Sequence, residues 1–218
     1  MMKRILLCGQ FLWFTCCGQA DCPKDINKLP MFGHVKKCKE QLDSDKDFIK
    51  ECDKQFKNRK EAAQFHVDKG WEYFYKSQFE TAMSRFNQAW LLDSLNADIY
   101  WGYGNILGMK NRDFKQSLVF LEQSIKMNPN NPRVWESAST SYEQLFYETK
   151  DQKLLDRSIE CLKASVKLDP NNARTYGQLT AAYSYFMQKD SAKKYLRITD
   201  KLDPSAVNPE VRKILSKD

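Results

Sequence analysis

Apolar residues recur every three or four positions from about residue 44 to the end of the chain. This spacing places them on one face of a helix, while the charged residues between them face water. Two earlier stretches break the pattern: an apolar run from Ile5 to Cys17, and a segment with Pro and Gly over residues 21–43. The chain is therefore predicted to be all-α, with a short apolar leader and an extended tether before the first helix.

The helical pattern repeats from Ala63 onward. The phrase LDSLNADIYWGYG returns as MNPNNPRVWESAS, then as LDPNNARTYGQLT and LDPSAVNPEV. Small residues at matching positions let two helices approach closely, large ones fill the space between hairpins, and Pro ends the second helix. The period divides this part of the chain into four units of helical-hairpin length, residues 63–96, 97–131, 132–172 and 173–206.

These units resemble tetratricopeptide repeats, which place aromatic, small and Pro residues at fixed positions over about 34 residues. The resemblance implies a right-handed α-α superhelix, a solenoid of about four hairpins closed by capping helices. The matching residues are Gly70, Tyr73, Ala82, Phe86 and Ala89 in the first unit, Tyr100, Tyr103, Gly104, Ser117, Leu121, Ser124 and Pro129 in the second, Trp135, Ala138, Tyr142, Ser158, Leu162, Ser165 and Pro170 in the third, and Tyr176, Leu179, Tyr183, Ala192, Leu196, Thr199 and Pro204 in the fourth.

Two units depart from the common length. The second has one extra residue in the turn near Arg112. The third has seven more residues between Tyr142 and Ser158 than the first unit has between its matching positions. Seven residues are about two helical turns. We therefore expect both helices of the third unit to be longer, with Asp151 capping the second of them.

Capping helices are expected at both ends of the repeats. Ser44 and Asp47 are predicted to begin the first within residues 44–62, and Asn58 to begin the first helix of the repeats. Residues 207–218 are predicted to form a short C-terminal helix. The apolar residues expected to pack are Phe48, Ile49, Cys52 and Phe56 at the N-terminal end, Val211, Ile214 and Leu215 at the other end, and Leu29, Met31 and Phe32 as a docking peg in the tether.

The apolar leader has the features of an export signal at residues 1–20, because a cationic start precedes the run and small residues follow it. Cys17, followed by glycine, resembles the lipid-attachment cysteine of bacterial lipoproteins, although Phe14 stands where that family usually has Leu. Ala20 before Asp21 instead suits ordinary signal peptidase. Both alternatives stay open, and in either case the mature protein is exported.

In an exported protein the remaining cysteines lie in an oxidising compartment, where disulfides persist. Cys22, Cys38, Cys52 and Cys161 allow three pairings. We expect Cys38 to pair with Cys52, because the two are close in sequence and flank the turn into the capping helix. Cys161 falls inside a helical pattern and is expected to be a small buried apolar residue.

Charge and titratable residues exclude several classes of function. The net charge is +7, but Lys and Arg alternate with Asp and Glu, and no basic stripe of a nucleic-acid-binding protein is present. Neither His34 nor His66 forms a recognised catalytic signature with a Cys or Ser. No second cysteine pair has the spacing of zinc ligands. We therefore predict no enzyme activity, no metal site, no cofactor and no nucleic-acid partner.

The chain is also similar to small exported tetratricopeptide proteins of Bacteroidota-type bacteria, in LPMFG, RKEAAQFHVDKGWEYF, FNQAWLLD and YWGYG. This resemblance implies a periplasmic or outer-membrane-anchored protein of a Gram-negative bacterium, which touches the membrane only through a lipid at Cys17. The repeats imply a concave groove that binds a protein or peptide partner. Candidate groove residues are Val67, Trp71, Phe74, Tyr75, Trp101, Asn105 and Met109.

Two alternatives to an open groove remain. The aromatic stripe that includes Trp71 can instead be core, packed on the N-terminal capping helix or on the LPMFG segment. A hydrolase of the cell envelope, or an accessory factor of one, would need two carboxylates held across a cleft. The Asp and Glu residues fall instead at turn, cap and solvent positions of the repeats, which favours the scaffold.

We predict that the mature chain begins at an acylated Cys17, with Asp21 as the alternative start. Intact mass spectrometry of membrane and soluble fractions distinguishes the two, because acylation adds mass and keeps the chain with the membrane. A full-length chain that retains Met1 in the cytosol contradicts both.

Overall fold

The computed structural model describes residues 22–185 and 188–216, so the predicted leader and Cys17 lie outside the described residues. Within those ranges the chain forms helices and no strands, which confirms the all-α class. Its α-helices are α1 (Lys39–Gln55), α2 (Arg59–Tyr75), α3 (Phe79–Leu92), α4 (Ala97–Ile106), α5 (Phe114–Met127), α6 (Pro132–Thr149), α7 (Gln152–Leu168), α8 (Ala173–Tyr185), α9 (Lys189–Leu202) and α10 (Pro209–Leu215).

Helices α2 to α9 pack as four consecutive pairs, each made of an even-numbered helix and the helix that follows it. The second helix of each pair also contacts the first helix of the next pair. At the two ends, α1 packs on α2 and α3, and α10 packs on α8 and α9. Buried apolar side chains fill the space between the helices along the whole stack. The predicted solenoid of four hairpins with capping helices is confirmed.

The repeated phrase of the sequence is the turn between one hairpin and the next. A side-chain oxygen in each turn accepts a hydrogen bond from the backbone N–H two residues later, and these oxygens belong to Asp93, Asn128, Asp169 and Asp203. A second side chain then accepts from an N–H in the first turn of the following helix, and these are Asn96, Asn131, Asn172 and Asn208. The two bonds together set the angle at which the chain enters the next helix.

The first two hairpins meet at the ring of Phe86, which is fully buried. A Cβ added to Gly70 of α2 would lie 2.7 Å from a ring carbon of Phe86, and one added to Gly102 of α4 would lie 2.5 Å from two carbons of the same ring. The ring is therefore held between the backbones of two helices. Because neither glycine has a side chain, both helices approach the ring closely.

The length differences between the units are also explained. Helix α6 continues for seven residues after Tyr142, against two after Tyr73 in α2, and α7 begins six residues before Ser158, against three before Ala82 in α3. Asp151 accepts a hydrogen bond from the N–H of Lys153 at 3.0 Å. The prediction of a longer third hairpin is confirmed. The extra residue of the second unit lies in a π turn at Leu107–Asn111, which ends at Arg112 with φ of 53°.

The N-terminal capping helix begins earlier than predicted. It starts at Lys39 rather than near Ser44, because Cys38 is its N-cap residue and the side chain of Gln41 accepts a hydrogen bond from the N–H of Cys38 at 3.2 Å. Ser44 and Asp47 lie inside the helix. Asn58 caps α2 as predicted, with its side chain accepting from the backbone of the third residue after it.

The predicted pairing of Cys38 with Cys52 is wrong, because Cys38 forms a disulfide with Cys22. Cys38 precedes the first residue of α1 and Cys52 lies near the end of the same helix, so a helical rise of about 20 Å separates them. Cys52 and Cys161 are free and buried, as expected for Cys161.

The segment before α1 is docked on the first hairpin rather than extended as a tether. The buried Phe32 ring lies 6.4 Å from the ring of Trp90 on α3, and the Asn87 side chain donates to two backbone carbonyls of the segment at 2.9 and 3.1 Å. Of the three predicted docking residues, Phe32 and Met31 pack on the core, whereas the side chain of Leu29 is about half exposed. The segment is therefore held on α3 by an apolar contact between Phe32 and Trp90 and by the two hydrogen bonds from Asn87.

At the C-terminal end, α10 covers the last hairpin with Val211 and Leu215, which are buried. The expectation that Ile214 also packs there is wrong, because its side chain is half exposed. Residues four apart lie on one helix face, and Ile214 falls beside that face.

We predict that Gly102→Ala destabilises the protein by about 1–3 kcal/mol, because the new methyl group overlaps the Phe86 ring and Gly70 blocks the ring's retreat. Gly108→Ala is the matched control, since its nearest neighbour would lie at 3.4 Å. Its effect should be within about 0.5 kcal/mol. Urea denaturation followed by circular dichroism measures both, and equal stabilities for the two variants contradict the prediction.

Candidate functional site: an aromatic groove

A cavity of about 280 Å³ opens where the first helices of the four hairpins face one another. It crosses these helices obliquely, from the last turns of α2, over the middle of α4, to the first turns of α6 and α8. We call it the groove. Its lining residues are Trp71, Phe74 and Tyr75 from α2, Trp101, Gly104, Asn105, Gly108 and Met109 from α4 and the π turn, Phe114, Ser117 and Leu121 beside them, Arg133, Glu136, Ser137, Thr140 and Ser141 from α6, and Arg174 and Gln178 from α8.

Two tryptophans form the floor of the groove. The centroids of the Trp71 and Trp101 rings are 4.1 Å apart, with an angle of 48° between the ring planes. Trp101 is 7% exposed, and its indole N–H donates to Ser137 Oγ at 2.9 Å. Asn105 holds the same ring in place, because its Nδ2 donates to the Trp101 carbonyl and its Oδ1 accepts from Ser137. The floor is therefore a fixed apolar surface.

Arg133 bridges the groove above this floor. One guanidinium nitrogen donates to the Tyr75 hydroxyl at 2.5 Å, and the guanidinium carbon lies 5.0 Å from the centroid of the Trp101 ring. The hydrogen bond to the hydroxyl and the cation–π contact with the indole ring together hold the arginine side chain against these aromatic residues. Arg133 thereby links α6 to α2, which belong to different hairpins.

The structure brings together six of the seven predicted groove residues. Trp71, Phe74 and Asn105 are half-buried at the groove, Tyr75 and Met109 stand at its rim with 64% and 66% exposure, and Trp101 lies in the floor. Val67 does not line the groove. Its side chain is 1% exposed and belongs to the buried core cluster that includes Ala82, Met83 and Phe86 of α3, because it lies one turn before Trp71, beyond the part of α2 that reaches the groove.

The alternative that the stripe is core holds in part, because Trp101 belongs to a buried core cluster against which Trp71 packs. The N-terminal segment makes its ring contact with Trp90 on α3. The remaining groove residues are not among the candidates named from the sequence. Arg133 and Arg174 are each the second residue of the first helix of a repeat. Their matching positions could therefore have indicated that both belong to the groove. Glu136 and Gln178 carry no such signal, because polar residues at those positions also suit a solvent-facing helix.

Glu136 links the third and fourth hairpins. Its Oε1 accepts hydrogen bonds from Asn172 at 2.7 Å, from Thr175 at 2.6 Å and from Ser165 at 3.2 Å. Among the described residues that line the groove it is the one carboxylate. The pair of carboxylates that a hydrolase of the expected kind would need is therefore not assembled there.

A second polar cluster lies in the core under α1. His66 Nε2 is 3.9 Å from Cys52 Sγ, so this histidine has the cysteine neighbour that the sequence did not indicate. Burial raises the pKa of the Cys52 thiol, while burial and then Arg85 lower the pKa of His66 to about 4. An activated cysteine needs the opposite pKa shifts, a lowered pKa of the thiol and a raised pKa of the histidine, which give a thiolate beside a cationic imidazole. The pair is therefore a neutral part of the core.

A further group of candidate metal ligands is already occupied by a covalent bond. The sulfur atoms of Cys22 and Cys38 lie near a carboxylate oxygen of Glu40, but the two sulfurs are joined in the disulfide and offer no thiolate to a metal ion. None of the helices in residues 22–185 and 188–216 has the length and apolar character needed to cross a membrane.

Comparison with known proteins agrees with this architecture. Residues 97–131 match the sequence model of the tetratricopeptide repeat, whereas no curated protein matches the chain in sequence. Similar solved structures include TTC0263, a thermophilic TPR protein of Thermus thermophilus, at 17% identity over 70% of this chain and 79% of that one, with a TM-score of 0.56. Another is pilF of Pseudomonas aeruginosa, at 19% identity over 72% and 67% of the two chains, with a TM-score of 0.60.

A third similar structure holds a peptide. It is the first TPR of Spaghetti (RPAP3) bound to the HSP90 peptide SRMEEVD, at 15% identity over 59% of this chain and 95% of that one, with a TM-score of 0.51. At these identities the likeness concerns the fold alone.

The buried imidazole predicts a specific pH dependence of stability. The pKa of His66 is lowered from 6.5 in the unfolded chain to about 4, so the unfolded state takes up the proton first as the pH falls. The free energy of unfolding should be greatest above pH 6.5 and decrease by roughly 3 kcal/mol between about pH 6.5 and about pH 4.

Carboxylates titrate in the same range, so the measurement compares the wild type with His66→Gln. Urea denaturation at about pH 7.5 and about pH 4.5 should give a stability difference between the two proteins that changes by roughly 2–3 kcal/mol. A difference that is the same at both pH values contradicts the buried, neutral histidine.

Proposed function

We propose that this tetratricopeptide-repeat solenoid is a scaffold that binds an extended peptide segment of a partner protein in its open aromatic groove. The observation that carries the proposal is the Trp71–Trp101 floor beneath the exposed side chains of Tyr75 and Met109. Aromatic side chains fixed by their neighbours bury much apolar area and lose little conformational entropy on binding.

The shape of the groove supports a peptide over a globular surface. The groove is a concave cavity that touches the first helices of four successive hairpins, and an extended peptide can lie across such a surface and present side chains to each helix in turn. The peptide bound by the first TPR of Spaghetti supports this mode of binding for the fold. A scaffold of this kind performs no chemistry on its partner.

We also propose that the mature protein works outside the cytoplasm, in the periplasm or anchored by a lipid at Cys17 to the outer membrane of a Gram-negative bacterium. The cationic and apolar leader supports this location. The Cys22–Cys38 disulfide supports it independently, because disulfides persist in oxidising compartments and are rare in the cytosol.

The groove is tested by selecting binders from a random peptide library on the wild-type protein and measuring their affinities by calorimetry. The double variant Tyr75→Ala with Met109→Ala should weaken the selected peptides by about tenfold or more, since rim contacts of this kind contribute on the order of 1–2 kcal/mol together. Both side chains are exposed, and the hydrogen bond that is lost, from Arg133 to the Tyr75 hydroxyl, is also exposed, so the melting temperature should change little.

The matched control is the double variant Leu95→Ala with Val119→Ala, which removes two exposed apolar side chains that do not line the groove. It should keep the wild-type affinities. The proposal fails when selection yields no binders, or when the selected peptides bind the two double variants equally well.

A further inference from the structure

The segment before α1 leaves two apolar side chains in water. Its residues Ile26 and Phe32 are buried, whereas Leu29 and Val35 are 47% and 42% exposed. The two exposed side chains flank Gly33, because a Cβ added there would lie 2.9 Å from Leu29 Cδ1 and 3.5 Å from Val35 Cγ2. Leu29 and Val35 therefore form one small exposed surface, which we call the N-terminal patch.

The backbone between these two residues accounts for their exposure. Residues 31–34 all have positive φ, between 50° and 64°. Residues with a Cβ adopt this left-handed region at a cost, so the turn persists because the Phe32 ring is held against Trp90. The same turn that buries Phe32 leaves Leu29 and Val35 outside. The N-terminal patch is therefore a fixed part of the surface.

Lysines near the patch carry positive charge that is not neutralised. Lys24, Lys36 and Lys39 are exposed, and none of them forms an ion pair with a residue that the structure describes. Three carboxylates of the same stretch are already paired with other lysines, Asp25 with Lys28, Asp45 with Lys37 and Asp43 with Lys46. Glu40 is the one carboxylate of residues 22–45 without an ion pair. The stretch thus presents three free lysines against one free carboxylate.

The disulfide places this surface close to the proposed lipid. The Cα atoms of Cys22 and Cys38 are 5.2 Å apart. Val35 is three residues before Cys38, a span of at most about 11 Å, and Cys17 is five residues before Cys22, a span of at most about 18 Å. A lipid on Cys17 therefore keeps the end of the solenoid that carries the N-terminal patch at the bilayer, while α10 covers the other end.

We propose that the N-terminal patch and its lysines lie against an anionic phospholipid bilayer. This inference rests on the lipid anchor at Cys17 that is proposed above, and it adds a contact of the folded chain to the contact of the lipid. Leu29 and Val35 enter the boundary between head groups and acyl chains, and the lysine side chains reach the phosphate groups. Lysine suits this position because its apolar stem follows the membrane surface while its amine stays in the head-group layer.

A protein partner is the other class of molecule that could cover the patch. A stable protein interface buries about 800 Å² on each partner, and lysine is depleted at such interfaces. Two half-exposed side chains with lysines near them fall far short of that area. A bilayer demands much less of the patch, because the lipid already holds the protein there and raises the effective concentration of the surface. The observations therefore favour the membrane.

The test uses the mature protein purified from membranes, after mass spectrometry has shown the acyl chains on Cys17. The protein is placed on phosphatidylglycerol vesicles that contain a phospholipid with a photoactivatable diazirine in its acyl chain, and lipid-modified residues are mapped by mass spectrometry. Residues 29–35 should be labelled. Residues 207–216, which include the half-exposed Ile214 at the other end of the stack, should not be labelled.

The apolar contact is tested with Leu29→Ser and Val35→Ser in one variant. Labelling of the segment should decrease about tenfold or more, since two apolar side chains no longer enter the membrane. The matched control is Leu202→Ser with Ile214→Ser, which removes two side chains of similar exposure elsewhere and should keep the wild-type labelling. All four positions are exposed, so the melting temperatures should remain close to that of the wild type.

The charge contact is tested by comparing phosphatidylglycerol with neutral phosphatidylcholine vesicles. Wild-type labelling of residues 29–35 should be at least about fivefold stronger on the anionic vesicles, the factor that one lysine near such a surface contributes. Added salt should reduce this preference. The charge variant, which should lose the preference, is Lys24→Gln, Lys36→Gln and Lys39→Gln. The control with the same change in net charge, which should keep it, uses three exposed lysines of α7, α9 and α10: Lys167→Gln, Lys201→Gln and Lys213→Gln.

An acylated protein whose residues 29–35 are labelled no more than residues 207–216 overturns the inference and leaves the anchor standing. A mature chain that begins at Asp21 without a lipid overturns the anchor and, with it, this inference. Equal labelling on the two kinds of vesicle, or a preference that survives in the charge variant, also overturns it, as does a dimer that buries residues 29–35. None of these outcomes changes the test of peptide binding in the groove.

Discussion

The contact of the Phe86 ring with two glycine backbones is the constraint on which the first half of the solenoid depends. Gly70 and Gly102 let α2 and α4 approach this ring from either side. Trp71 follows the first glycine and Trp101 precedes the second, so the same approach brings the two indole rings to 4.1 Å. The floor of the groove is thus a consequence of packing in the core beneath it.

The first hairpin uses separate residues for its two neighbours. On α2, Trp71, Phe74 and Tyr75 face the groove. On α3, Asn87 and Trp90 hold the N-terminal segment, and Asn87 also accepts a hydrogen bond from the buried Tyr103 hydroxyl at 2.7 Å. One asparagine therefore ties the segment, α3 and α4 together. Because the segment is bound on α3, it leaves the groove uncovered.

The repeats and their turns could be predicted from the sequence because they rest on local rules. Asp or Asn at a turn, Asn before a helix and small residues at close contacts act within a few positions of the chain, and Asp151 was predicted on that basis. The N-terminal segment followed no such rule. Cys22 pairs with Cys38 because the segment folds back onto α3, and that depends on contacts with Asn87 and Trp90, more than 50 positions away.

The candidate site was predictable to the extent that helical spacing defines a face. That spacing placed Trp71 and Trp101 in the groove, but it also included Val67, because a helix face is broad and its edge turns into the core. It did not reveal Arg133, whose role depends on reaching Tyr75 in a different hairpin. Contacts between repeats that are two units apart depend on the curvature of the stack, which the sequence of a single repeat does not specify.

The central claim is that the glycine-mediated contact with Phe86 brings the two tryptophans together at the floor of the groove. Nuclear Overhauser effects between the ring protons of Trp71 and Trp101 measure that proximity directly in solution. The account predicts strong cross-peaks in the wild type and their weakening in a Gly102→Ala variant that is still folded, because the added methyl group moves α4 away from Phe86. Cross-peaks that are absent in the wild type, or equally strong in the variant, would contradict it.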